Sequence, residues 1–237
     1  MQKVICDSYE QMSKKAAQMI ADAVKEKPEL ILGLPTGGTP VGMYAEISRM
    51  VQEKQADFSN VTTFNLDEYI GLPKDHEQSY YYFMNDNLYS KVPLKEGNVP
   101  NGMAENMDAE CEAYDKRIAD MGGLDIMVLG IGPNGHIGFN EPDSELIMPT
   151  HVVSITEAPI DANQRFFSSR DEVPRTAVTM GVGSIMKAKK IILLASGMSK
   201  KQVVAQLLSE KAVTTQNPST LLLVHPDVTV FVEKEIL

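Results

Sequence analysis

The sequence predicts an α/β protein: a single domain over residues 1–237, built on a doubly wound (Rossmann-like), mostly parallel sheet with helices on both faces. Three observations predict this. Short apolar runs of strand length alternate with longer segments of helical period. Several of the runs, ELILGL, LDIMVLG and KIILLA among them, are mostly apolar, as strands covered on both sides are. No repeat, low-complexity stretch or linker breaks the alternation. Such alternation gives a parallel sheet between helical layers, and ligands then bind beyond the carboxyl ends of the strands.

Residues 8–27, SYEQMSKKAAQMIADAVKEK, place Met12, Ala16, Met19, Ile20, Ala23 and Val24 at helical spacing. Asp7 with Glu10 reads as a capping box, and Pro28 ends the helix. ELILGL (29–34) is a strand, VGMYAEISRMVQEK (41–54) a helix and VTTFNL (61–66) a strand. SYYYFMNDNLYSKV (79–92) and DAECEAYDKRIADM (108–121) read as helices. LDIMVLG (124–130) is the clearest buried strand, and HVVSIT, within 150–156, a weaker one. KIILLA (190–195) and TLLLVH (220–225) read as strands around the helix SKKQVVAQLLSE (199–210), with VTVFVE (228–233) the last strand.

Composition narrows the function classes. Hydrophobic residues make up 43%, enough for a sizeable core, and the formal net charge is −10. That charge argues against nucleic acid and anionic membranes as partners, because phosphate backbones reward clusters of Lys and Arg. A small anionic substrate stays open, since a few cations in a cleft reverse the local field. Cys6 and Cys111 are too far apart to read as a disulfide framework or a metal knuckle, so reduced structural thiols are expected. The start, MQKVICDSYEQM, has no signal-peptide pattern, and no window approaches the roughly 18 apolar residues of a membrane span. A cytoplasmic protein is expected.

Four motifs sit at strand ends. Pro35-Thr36-Gly37-Gly38-Thr39-Pro40 opens a helix. Its glycines let backbone amides approach a ligand, Thr39 is placed to cap the helix, and free amides with the helix dipole make an anion seat. It is no Walker loop, lacking GKS or GKT. Gly130-Ile131-Gly132-Pro133-Asn134-Gly135 matches GxGxxG. The next seven residues, His136 to Pro142, include a Gly, a β-branched residue and a Pro, so they form a loop and not the helix a dinucleotide fingerprint opens. That loop offers His136 as general acid/base, Glu141 to orient it and Asn134 to hold a hydroxyl or the imidazole. In Asn65-Leu66-Asp67-Glu68-Tyr69 the adjacent carboxylates should diverge, leaving one to face the cleft and take a proton from carbon. Arg165 and Lys200 each bring a cation near the later strands; Arg clamps phosphate bidentately and Lys acts as a point charge. The histidines, His76, His136, His151 and His225, show no metal-ligand spacing, so no metal is expected. Tyr80-Tyr81-Tyr82 reads as helix packing.

Taken together, LGLPTGGTPVGMY, FNLDEYIGL, GIGPNGHIGFNEP, NQRFF and ASGMSK resemble the glucosamine-6-phosphate deaminases from about residue 30 to 200. The related 6-phosphogluconolactonases share PTGGTP but tend to GHTASLFP, from which this chain departs at Ile137, Phe139, Asn140 and Glu141. The resemblance implies conversion of glucosamine 6-phosphate and water to fructose 6-phosphate and ammonia, without cofactor. His136, with Glu141 and Asn134, would open the sugar ring. Asp67 would move the proton from C2 to C1. Thr36, Gly37, Gly38, Thr39, Arg165 and Lys200 would hold the phosphate. Many members carry Asp where this chain has Asn134, which removes a second carboxylate from the histidine. Members controlled by N-acetylglucosamine 6-phosphate carry basic residues after the NEP triplet and a longer tail. Here DSELIMPTHVV has neither Lys nor Arg and the sequence ends at Leu237, so no such control is expected. Two rivals remain: a sugar-phosphate lactonase, told apart by substrate, and a sugar-phosphate-sensing effector domain, which would dispense with Asp67 and His136. Oligomeric state is left open between monomer and homo-oligomer.

Overall fold

A computed structural model describes residues 1–155 and 173–237. Its first strand, β1 (Gln2–Cys6), has no apolar run to mark it in the sequence, yet it pairs in parallel with β10 (Val228–Glu233). Helix α1 (Tyr9–Glu26) comes next. Its cap is Ser8, whose hydroxyl accepts the Gln11 N–H, while the Gln11 side chain accepts the Asp7 N–H at 2.8 Å. The cap is therefore Ser8, with Gln11 reaching back one residue further to Asp7, and not a box of Asp7 with Glu10: Ser8 is the extended residue from which a side-chain oxygen reaches the third helical amide.

Seven strands form one parallel sheet in the order β1-β10-β9-β6-β2-β3-β5. Here β2 is Ile31–Leu34, β3 Thr62–Asn65, β5 Glu96–Asn98, β6 Ile126–Leu129 and β9 Lys190–Ala195. From β2 the chain steps outward to β3 and β5. It then returns to β6, on the other side of β2, and continues to β9 and β10. The sheet is doubly wound, and its switch point lies between β2 and β6. Successive residues face opposite layers. Leu32, Leu34, Ile126, Val128, Ile192 and Leu194 pack with α1 and α2 (Val41–Gln52). Ile31, Met127, Leu129, Ile191 and Leu193 pack with α4 (Met107–Asp120) and the helix Lys201–Ser209.

A second, antiparallel sheet has the order β4-β8-β7, where β4 is Asp67–Tyr69, β8 Thr176–Thr179 and β7 His151–Ser154. Residues 79–92 form less helix than their period predicts: α3 (Tyr80–Met84) passes into a π-helical turn, Asn85–Tyr89. TLLLVH is not a strand. Pro218–Val224 winds as a 3₁₀ helix, begun by a proline whose fixed φ suits a first turn.

At the sheet end remote from the switch-point loops, buried Asp125 accepts the Ile31 N–H at 2.9 Å and contacts Lys27 Nζ at 2.6 Å and Lys189 Nζ at 2.8 Å. Burial raises its carboxyl, but the two ammonium groups and the amide outweigh that and hold it below the ordinary range. The folded state thus prefers ionised Asp125, a preference present above the ordinary carboxylate range and lost as pH falls through the depressed one. Asp125→Ala should lower stability by about 1–3 kcal/mol, because it leaves the Ile31 amide buried without an acceptor, while the half-exposed Lys27 and Lys189 return to water. Denaturant midpoints at pH 7 check this, and the gap from wild type should shrink on acidification.

Candidate active site

The loops that leave β2 and β6 diverge at the switch point, and a cleft of about 280 Å³ opens between them. Thr36–Thr39 line one side, Gly130–Gly132, His136, Gly138 and Phe139 another, with Asp67, Tyr80 and Lys200 completing the wall.

The loop after β2 is strapped down by two tyrosines. Tyr44 of α2 donates to the Pro35 carbonyl at 2.5 Å. The Tyr9 hydroxyl of α1 lies 3.1 Å from the Gly38 and Thr39 carbonyls and accepts the Gly42 N–H at 2.8 Å. Thr39 does not cap α2. The cap position falls on Pro40, whose side chain has no oxygen to offer. Thr39 lines the cleft instead, which suits a ligand better than a capping role would.

The GxGxxG match in the loop after β6 has a local cause. A Cβ on Gly132 would lie 2.4 Å from three ring atoms of His136, so the glycine clears space for an imidazole and not for a pyrophosphate. His136 Nδ1 lies 2.8 Å from Glu141 Oε1, a close contact without straight hydrogen-bond alignment. Asn134 Nδ2 donates to the other Glu141 oxygen at 2.6 Å, and its Oδ1 accepts the His136 N–H at 3.2 Å. Burial raises the Glu141 carboxyl, but contact with His136 and the Asn134 amide outweighs it, leaving Glu141 below its ordinary range. The loop's far end is tied to the small sheet: Phe139 N–H donates to Thr179 Oγ1 at 3.1 Å, and Asn140 Nδ2 donates to the Ile137 and Met180 carbonyls.

Asp67 and Glu68 do diverge. Glu68 accepts the N–H groups of Tyr69, Tyr80 and Tyr81 at 2.8–2.9 Å and so anchors the start of α3. Asp67 faces the cleft, is 6% exposed, and its Oδ1 is buried without a partner. Burial, with a smaller push from Glu68, raises its carboxyl to about 8. A desolvated carboxylate is a strengthened base. Tyr80, read from the sequence as packing alone, is a cleft wall: its ring stacks on Phe139 at 6.2 Å and 9°. The run of three tyrosines hides it, because only the fold tells which of the three faces the ligand.

Lys200 ends the 3₁₀ turn Met198–Lys200 and reaches the cleft from the other side of the switch point. Its half-burial lowers its ammonium below the ordinary lysine range, and no carboxylate of the described residues pairs with it. Such a cation is stabilised by an arriving anion. Lys200→Ala should raise KM about 10- to 100-fold and change kcat less, as loss of phosphate binding does; initial rates against substrate concentration, with inorganic phosphate as competitor, test it. Arg165 lies outside the described residues. The other sequence-predicted residues, Thr36, Gly37, Gly38, Thr39, Asp67, His136 and Lys200, all line the one cleft, and Asn134 and Glu141 stand behind His136. Among the described residues, no group of three His, Cys, Asp or Glu is placed to hold a metal, and no helix is long and apolar enough to cross a membrane.

A doubly wound sheet whose switch-point cleft gathers loop amides, a lysine, a buried carboxylate and an imidazole–carboxylate pair defines an enzyme of small phosphorylated substrates. The chain belongs to the family of glucosamine-6-phosphate isomerases and 6-phosphogluconolactonases, whose model matches residues 7–231. It is 54% identical to a glucosamine-6-phosphate deaminase of Clostridium perfringens, over 99% of this chain and 98% of that one. It is 53% identical to one of Thermoanaerobacter pseudethanolicus, over 99% and 93%. A solved structure described as a monomeric glucosamine-6-phosphate deaminase superposes with a TM-score of 0.95 at 43% identity, over 100% of this chain and 98% of that one. The 6-phosphogluconolactonase of Thermotoga maritima, 17% identical over 98% and 99% with a TM-score of 0.76, shares the fold.

Proposed function

We propose that residues 1–237 act as one domain that converts glucosamine 6-phosphate and water to fructose 6-phosphate and ammonia. The observation that carries this reading is the placement, on one cleft, of a bare buried carboxylate (Asp67), a His136–Glu141 pair and an anion seat. The amides and hydroxyls of 36–39, with Lys200 and Arg165, hold the phosphate, and that binding positions C1 and C2 against the base. His136, held by Glu141 and Asn134, moves a proton to the ring oxygen and opens the ring. Asp67 then takes the C2 proton, which the C1 carbonyl has made acidic, giving an enolamine. It returns a proton at C1, and water hydrolyses the resulting imine at C2, releasing ammonia.

The identity of 53–54% with deaminases, against 17% with a lactonase of the same fold, favours the deaminase over the lactone hydrolase. A phosphorylated substrate does not cross membranes unaided, so the activity belongs in the cytoplasm. Purified protein should release ammonia from glucosamine 6-phosphate. Acid release from 6-phosphogluconolactone, with no ammonia from the amino sugar, would refute the reading.

A further inference from the structure

The reacting loop is braced by a segment far along the chain. Residues 214–220 form a self-bonded turn: the Thr220 hydroxyl accepts the Thr214 N–H at 2.9 Å and lies 2.7 Å from the Asn217 carbonyl. This turn grips the loop at two places. Ser219 N–H donates to the Gly135 carbonyl at 2.8 Å. Further along, Gln216 Nε2 donates to the Asp143 carbonyl at 2.7 Å and Asp143 N–H to the Thr215 carbonyl at 3.3 Å.

Asn217 sits at the centre of that grip. It is 3% exposed, and its Oδ1 accepts the Ser219 hydroxyl at 2.6 Å. That same oxygen lies where a side chain on Gly135 would be, 2.0 Å from an ideal Cβ. Gly135 takes φ +89°, so two independent constraints require glycine between Asn134 and His136. Asn217 Nδ2 is buried with no hydrogen-bond partner among the described residues. A buried amide left unpaired is costly and calls for a compensating role.

We infer that Asn217, oriented by Ser219, is a positioning residue that sets the His136 imidazole for ring opening by packing against Gly135. The inference rests on the deaminase reading and deepens it. A histidine misplaced by even about 1 Å loses proton-transfer efficiency steeply. The carbon-acid step is carried by Asp67 on another strand, so the brace serves one step and not the other.

The test measures both steps on the full chain. Asn217→Ala should lower kcat on cyclic glucosamine 6-phosphate about 10- to 100-fold, with KM changed less than about threefold. Ser219→Ala, which leaves Asn217 against Gly135 but removes the donor that orients it, should lose less, under about tenfold. The second assay uses an acyclic ketose 6-phosphate lacking the 5-hydroxyl, with ammonium present, and reads deuterium wash-in at C1. This substrate has no ring to open, so exchange by Asn217→Ala should stay within about threefold of wild type. Equal losses in both assays would make Asn217 a general structural residue and overturn the inference. Undiminished turnover by Asn217→Ala would overturn it too, and so would exchange lost with turnover kept. Wild-type protein that releases no ammonia from glucosamine 6-phosphate overturns the deaminase reading itself, and this inference with it.

Discussion

Asp67→Asn should lower ammonia release at least about 10³-fold while inorganic phosphate binds as it does to wild type, because a base is lost and the anion seat is not. Among the described cleft residues, Asp67 is the only carboxylate. Glu68 cannot stand in, since three backbone N–H groups occupy its oxygens. With its carboxyl raised to about 8, Asp67 is ionised in a growing fraction of free enzyme as pH rises. kcat/KM should therefore climb through that range, and initial rates from pH 6 to 9 read it directly. Full turnover by Asp67→Asn would sink the mechanism.

The same substitution should stabilise the fold in alkali. Asp67 has a folded pKa raised above its unfolded value, so between about pH 4 and 8 the native state keeps a proton that the unfolded chain has released. Stability drains away across that window as pH rises. At about 1.4 kcal/mol per unit the full cost has an upper bound of roughly 6 kcal/mol. Asparagine does not titrate, so Asp67→Asn should gain on wild type at pH 8 and gain little near pH 4. Paired melting curves at the two pH values decide it. An active site that costs stability in this way is expected where a base must be kept dry.

The sequence makes much of this site legible and hides the rest, and distance along the chain draws the line. LPTGGTP, NLDEY and GIGPNGHIGFNEP are contiguous, each comes after an apolar strand, and each reaches the cleft at a strand's carboxyl end. Local pattern suffices for them. It fails where the deciding partner is distant. Asp67–Tyr69 forms a strand only because Thr176–Thr179 lies beside it, more than a hundred residues on. β1 is an edge strand defined by β10 at the other end of the chain. TLLLVH has strand-like residues, yet Pro218 starts a 3₁₀ turn there, and its Ser219 N–H donates to the Gly135 carbonyl. The role of Asn217 leaves no trace in its own neighbourhood. Gly132, part of a GxGxxG match that the following loop rules out as a fingerprint, is explained only by the ring of a residue four positions later.

His136→Asn should show the second largest loss, about 10²- to 10⁴-fold in kcat/KM on glucosamine 6-phosphate. The ring lines the cleft and its Nδ1 is turned to Glu141, which leaves Nε2 as the nitrogen for the sugar. Glu141 is held below its ordinary range and tied to Asn134, so it stays ionised near neutral pH and supports the imidazolium that forms in proton transfer. A Gln at 141 keeps a hydrogen bond and loses that charge, so Glu141→Gln should cost less, about 10- to 100-fold. Asn134 adds an amide donor where a second carboxylate would add negative charge, so the charge support for His136 rests on Glu141 alone within this trio. The assay that isolates these residues is deuterium wash-in on the acyclic ketose 6-phosphate. His136→Asn should retain it, because no ring needs opening, whereas Asp67→Asn should lose it. Loss of exchange in both variants would place His136 in the carbon-acid step and divide the chemistry differently between β4 and the loop after β6.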